Sequence, residues 1–115
     1  MKNQKRTILI DLDGVLNSYI GEFDENFIPP VLEGAKDFLK NLSEDFRIKI
    51  FTTRNKLLSA KWLIENNLDQ YIIDITDKKD LCWLYIDDRC LQFKGDYKEL
   101  FENIKMFKPW YKQTK

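Results

Sequence analysis

Four acidic residues stand in two short clusters, Asp11 and Asp13 in the run ILIDLDGV and Asp87 and Asp88 in LYIDDR. Between them in the chain come Thr52, in KIFTTRN, and the pair Lys78 and Lys79, in TDKKD. Carboxylates gathered at one point hold a hard cation such as Mg2+ through oxygen. The cation and a lysine then neutralise a phosphate, and one carboxylate is left to attack it. Histidine is absent from the chain. That excludes an imidazole base, a histidine metal ligand and a phosphohistidine, so catalysis must run on carboxylates, hydroxyls, lysine, cysteine or an oxygen-held metal.

These groups serve one site only if the fold brings them together. Strand and helix patterns alternate along the chain. A β-rich run at 7–10 ends in DLDG, and a loop follows from Leu12 to Phe27. Pro29 and Pro30 punctuate a helix start, since proline is tolerated in a first helical turn; Val31, Ala35, Phe38, Leu39 and Leu42 then recur at helical spacing. A strand over 47–51 leads to Thr52, and a helix over 56–67 follows with Asn55 as its N-cap. Strands are expected at 71–75 and 81–86, with a short fifth one at 90–93. Asp96 and Glu99 have capping-box spacing ahead of a last helix that carries Tyr97, Leu100, Phe101 and Ile104 on one face. Such alternation predicts an α/β domain with a mainly parallel sheet, whose ligands bind beyond the carboxyl ends of the strands. The acidic clusters and Thr52 fall at those ends. The strands ending at Asp11 and Asp88 must be neighbours if their acids share an ion.

Taken singly, each signal has a bland explanation. DxDG is often a turn, a strand-end threonine often caps the next helix, and paired lysines or aspartates often lie in solvated loops. Their order, each at a strand boundary, is harder to attribute to chance. Residues two apart on an extended strand point the same way, so Asp11 and Asp13 share a side if the strand persists. If the chain turns, Asp13 swings away, and Gly14 permits that bend or a close backbone approach.

The order DxD, Thr, Lys, acidic pair resembles the haloacid dehalogenase superfamily over about Ile8 to Arg89. The resemblance implies a Rossmann-like three-layer sandwich and a magnesium-dependent phosphomonoester hydrolase working through an aspartyl phosphate. Asp11 would be the nucleophile and Asp13 the general acid, later the base. Thr52 would hydrogen-bond a phosphoryl oxygen, and Lys79, preferred to Lys78 on motif position, would neutralise charge. Asp11, Asp88, Asp87 and the backbone carbonyl of Asp13 would hold Mg2+, with Asp88 the direct ligand of the pair. Thr53, Arg54 and Gly14 flank these positions and are expected to contact substrate. Relatives often have proline after the lysine, where this chain has Asp80. Members of the superfamily usually carry a cap after the first or third strand. Here only 15 residues separate Asp13 from Pro29, enough for a flap containing Tyr19, Phe23 and Phe27, so a capless, open site is expected.

Length and composition bound the rest. The 115 residues suit one domain, 1–115, with no second one. The formal net charge is zero, which argues against a general nucleic-acid binder. Lys2, Lys5 and Arg6 at one end and Lys108, Lys112 and Lys115 at the other read as solubilising termini. Cys82 and Cys90 read as reduced core residues. No signal peptide and no apolar stretch of the ~18 residues that a membrane span needs is visible, so a cytoplasmic location and no membrane partner are expected. The expected partner is a phosphorylated small molecule or macromolecule. Three rivals remain. A phosphoacceptor receiver domain needs an aspartate after the third strand, where only Asp74 is available, and its acidic pair should come first. A polynucleotide-end phosphatase would use Lys5, Arg6, Lys94, Lys108 and Lys112 on the backbone and Trp110 or Tyr111 to stack a base. A phosphate- or metal-binding module would keep the fold without turnover.

Overall fold

A computed structural model describes residues 5–113; Lys2 and Lys115 of the basic ends lie outside them. The chain is an α/β domain with an all-parallel, Rossmann-like sheet. Its elements run β1 (Arg6–Asp11), α1 (Ala35–Ser43), β2 (Phe46–Phe51), α2 (Lys56–Glu65), β3 (Asp74–Thr76), β4 (Leu84–Ile86) and α3 (Tyr97–Met106), with single 3-10 turns at Asp69–Tyr71 and Trp110–Lys112. The sheet order is β3-β2-β1-β4, and every pairing is parallel. β1 and β4 are therefore adjacent, as a shared acidic site requires.

Alternation along the strands sorts the two faces. Ile8 and Ile10 of β1, Ile48 and Ile50 of β2, Ile75 of β3 and Ile86 of β4 meet Ala35 and Leu39 of α1 and Trp62 and Leu63 of α2 in one apolar cluster. Each such aliphatic side chain contributes about 1.5–3 kcal/mol on burial, which makes this face the stabilising one. Both α1 and α2 pack there. The opposite face carries Leu9, Asp11, Phe51, Tyr85 and Asp87, which line a common cleft. It is crossed by residues 77–83, which join β3 to β4 without a helix. Lys49 ties this crossover down through Asp80 at 3.4 Å, as does the Tyr85 hydroxyl, which donates to the Asp80 carbonyl at 3.0 Å. α3 stands against residues 89–91 and brings no buried residue. With α1 and α2 on one face and the 77–83 crossover and α3 toward the other, the arrangement is the three-layer, Rossmann-like one expected, its second outer layer thin.

Four local readings change. The first helix starts at Ala35 rather than at the prolines, because Val31 pairs with Asn17 in an antiparallel bridge and Gly34 turns the chain at φ 88°. The segment 71–75 divides, its front closing a 3-10 turn. No strand forms at 90–93. Cys82 is half-buried and Cys90 exposed, both free and outside the apolar cluster, since the strand end and loop that carry them face away from α1 and α2. Asn55 caps α2 as read, accepting from Leu58 N–H at 3.0 Å, and of the capping box before α3 the Asp96 half forms, accepting from Lys98 and Glu99 N–H. Residues 12–34 form turns with no inserted domain, and among the described residues no helix is long and apolar enough to cross a membrane.

Candidate metal and phosphate site

β1 and β4 end side by side, with Ile10 opposite Ile86. The next residue on each, Asp11 and Asp87, therefore points from the same face, and Asp88 follows in the turn. Carboxylate oxygens of Asp11, Asp87 and Asp88 lie within 4.8 Å of one another. Asp87 is held by an Asx turn, its Oδ1 accepting from Arg89 N–H at 2.8 Å. Asp88 Oδ2 is buried without a hydrogen-bond partner. Asp11 is pushed up to about 8 by burial first, then by its contact with Asp88 and the negative charges of Asp87, Asp88 and Asp13. Burial also raises Asp87, against the opposing pull of the Arg89 N–H.

Three oxygen donors at this separation, one of them orphaned and buried, suit a hard divalent cation. There is no nitrogen ligand in the set, so the donor chemistry fits Mg2+ better than Zn2+. The cation would be held by Asp11, Asp87 and Asp88.

Lys79 lines the same cleft, which holds about 400 Å³ between Asp11, Asp87, Tyr85 and Arg89. Its ammonium lies 5.2 Å from the Tyr85 ring centre. Lys78 instead borders a neighbouring cavity with Thr52, Thr76 and Asp77. The geometry thus separates two lysines that the sequence left equivalent except by motif position. Thr52 is buried, and its hydroxyl oxygen accepts from Arg54 N–H at 3.1 Å. Thr52 therefore borders the adjoining cavity and not the Asp11 cleft. Thr53 lies farther round, in a cavity with Phe23, Asn26 and Asn55.

Asp13 and Arg54 differ most from expectation. The chain turns after Asp11, and the Asp13 carboxylate leaves the acidic cluster. Both its oxygens accept from Arg54 Nε, at 3.0 and 2.9 Å, and Asn17 Nδ2 donates to it at 2.9 Å. Arg54 is buried, and its Nη2 has no hydrogen-bond partner. Its side chain is 1% exposed, its Nη1 donates to the carbonyls of Asp24 and Phe27, and Phe23 lies 4.6 Å beneath the guanidinium. Arg54 thus knots the flap to the DLDG turn. Its side chain is closed off from solvent by the flap itself.

Gly14 makes the close backbone approach that its position allowed, against Asp88. It adopts φ +81°, and a Cβ there would meet Asp88 Oδ2 at 2.2 Å. Two aromatic residues near the carboxyl end complete the surroundings. Trp110 Nε1 donates to the Gly14 carbonyl at 2.7 Å. Tyr111 packs edge-on against Trp110 and Tyr19, and its buried hydroxyl has no partner of good geometry. Burial, then the neighbouring Asp88, raises the Tyr111 phenol above its ordinary value. The sequence offered these residues only as base-stacking groups of a polynucleotide-end phosphatase, not as neighbours of the acidic cluster. The only signal was a proline before two aromatics, which does not say what they touch.

No family model and no curated protein matches this chain. A solved structure of a conserved protein from Bacteroides thetaiotaomicron is similar, with a TM-score of 0.59 and 21% identity over 90% of this chain and 92% of that one. At that identity the likeness shows the fold alone.

Proposed function

We propose that this chain is a magnesium-dependent phosphomonoester hydrolase that uses Asp11 as its nucleophile. The observation that carries the reading is the meeting of Asp11, Asp87 and Asp88 on adjacent parallel strand ends, with Lys79 on the wall of the same cleft. The order of motifs along the chain, which resembles the haloacid dehalogenase superfamily, supports the same reading.

Bound there, Mg2+ would supply positive charge against the phosphoryl oxygens and hold them in line. Asp11 attacks phosphorus through a carboxylate oxygen, and the bond from phosphorus to the leaving oxygen breaks. Lys79 offsets the negative charge brought by the substrate. A water then attacks phosphorus, the bond to Asp11 breaks, and inorganic phosphate leaves. Asp13 is the group proposed to give the first proton to the leaving oxygen and to take the second from water. It begins tied to Arg54 and Asn17, so it meets substrate only after a change of side-chain rotamer that breaks those bonds. Thr52 is proposed as a phosphoryl donor from the adjoining cavity; its oxygen already accepts from Arg54 N–H, which leaves the hydroxyl proton to give.

The cleft is open and has no cap, which suits a range of phosphorylated substrates. A panel of nucleotides, sugar phosphates, aryl phosphates and phosphorylated oligonucleotides, assayed with Mg2+ and with chelator, tests the reading. Release of phosphate from at least one class, lost with chelator and restored by Mg2+, is expected. Turnover that survives exhaustive metal removal would rule the mechanism out.

A further inference from the structure

We propose that Trp110 is a positioning residue of the acidic site: through the Gly14 carbonyl, a residue 96 positions away sets how tightly Asp11, Asp87 and Asp88 hold a divalent cation. The inference rests on reading that cluster as a magnesium site.

The Gly14 peptide is the wall against which Asp88 rests. Only a glycine fits there, since any Cβ would enter the Asp88 carboxylate at 2.2 Å from Oδ2. Asp88 Oδ2 has no hydrogen bond of its own. Packing against Gly14, with the Tyr111 hydroxyl beside Asp88 but not in good hydrogen-bond geometry, locates that oxygen. Gly14 is in turn held through both of its backbone polar groups. Its N–H donates to Asn17 Oδ1 at 3.1 Å, and its carbonyl accepts from Trp110 Nε1 at 2.7 Å. Among the described residues, Trp110 is the donor that this carbonyl has.

The chain delivers the indole by a stiff route. Pro109 fixes the entry with φ −62°, Lys112 N–H closes a one-turn 3-10 helix on the Pro109 carbonyl at 2.9 Å, and Tyr111 wedges between Trp110 and Tyr19 of the flap. Groups that orient a metal's ligands from behind are worth tenfold to a hundredfold in metal affinity. Trp110 acts one step further back, through backbone, so the lower figure applies.

Isothermal titration of the metal-free protein with MgCl2 tests this without any substrate. Trp110→Phe keeps an aromatic ring edge-on to Tyr111 but removes the donor. Its Kd for Mg2+ should rise about tenfold, while circular dichroism stays that of the parent and Asp88→Asn abolishes binding. A purely structural role would lower the melting temperature in chelator yet leave Kd unchanged. An unchanged Kd in Trp110→Phe, with binding still lost in Asp88→Asn, would overturn the inference and leave the proposed function standing. A parent protein that binds no Mg2+ would overturn both. Should Trp110→Phe not fold, the parent alone decides. The three indole N–H signals of Trp62, Trp83 and Trp110 are followed by NMR during the titration, and linkage requires Mg2+ to slow solvent exchange at Trp110 and not at Trp83. Equal exchange with and without Mg2+ at Trp110 would refute the coupling.

Discussion

Replacing Asp11 by asparagine should make the metal-free protein more stable at alkaline pH and unable to respond to magnesium. Asp11 is raised from 3.8 to about 8 in the folded chain. The folded state thus keeps a proton that the unfolded chain gives up. Below about pH 4 both states are protonated and the site costs nothing. From there to about pH 8 the folded state loses ground with every unit, and above it the loss is constant. A shift of about four units corresponds to a ceiling near 6 kcal/mol. Asp11 is partly in contact with water, so about 2–3 kcal/mol is the figure to expect at the site. For a domain of this size that is about 10 °C in melting temperature. Differential scanning calorimetry in chelator should therefore show the parent weakening between about pH 4 and pH 8.5, with Asp11→Asn roughly 10 °C above it at the upper value and level with it below the lower one. MgCl2 at about a hundred times its Kd should close that gap at the upper pH. Ligand at a hundred times its Kd adds about 2.7 kcal/mol to the parent, and the amide forfeits this. A parent whose metal-free stability is flat across that range, or a variant stabilised by Mg2+ as much as the parent, would refute the electrostatic account of the cluster.

Gly14→Ala should abolish Mg2+ binding measured by titration, because the new methyl occupies the space of Asp88 Oδ2 and the residue sits at φ +81°. Arg54→Met should lower stability by about 3 kcal/mol in urea unfolding, since it leaves the Asp13 carboxylate without its buried partner. Lys79→Ala should cut kcat/KM on an aryl phosphate by roughly a hundredfold, whereas Lys78→Ala, in the adjoining cavity, should change it less than about threefold; equal losses would show that the cleft at Asp11 is not where charge is neutralised.

The sheet was legible because its strands obey local rules. Ile8, Ile10, Ile48 and Ile50 alternate with polar or cleft-facing residues, and alternation fixes both the strand and its buried face. The adjacency of β1 and β4 followed from chemistry, as two acidic strand ends that serve one ion cannot be separated by a third strand. What escaped the sequence depends on contacts between distant segments. Val31 fits the spacing of α1, yet its backbone is taken by Asn17 in the flap. Asp13 sits two residues from Asp11, but Arg54, forty-one positions on, claims its carboxylate. The apolar stripe Tyr97, Phe101 and Ile104 marked α3 as a helix and implied a buried face, whereas all three remain exposed because the thin second layer offers nothing to bury them against. Trp110 could be read as an aromatic near the end of the chain, and only the fold brings it to Gly14.

The central claim is that Asp11 takes the phosphoryl group. Asp13→Asn, checked for folding by circular dichroism, retains the acidic cluster and Lys79 but has no carboxylate to activate water. An aryl phosphate, whose leaving group hardly needs a proton, should give a burst on this variant and then stall. Acid quenching followed by peptide mass spectrometry should find one phosphoryl group on Asp11, in the presence of Mg2+ and not with chelator. Phosphate on Asp13, Asp87 or Asp88 instead, or undiminished turnover by Asp11→Asn, would contradict the account.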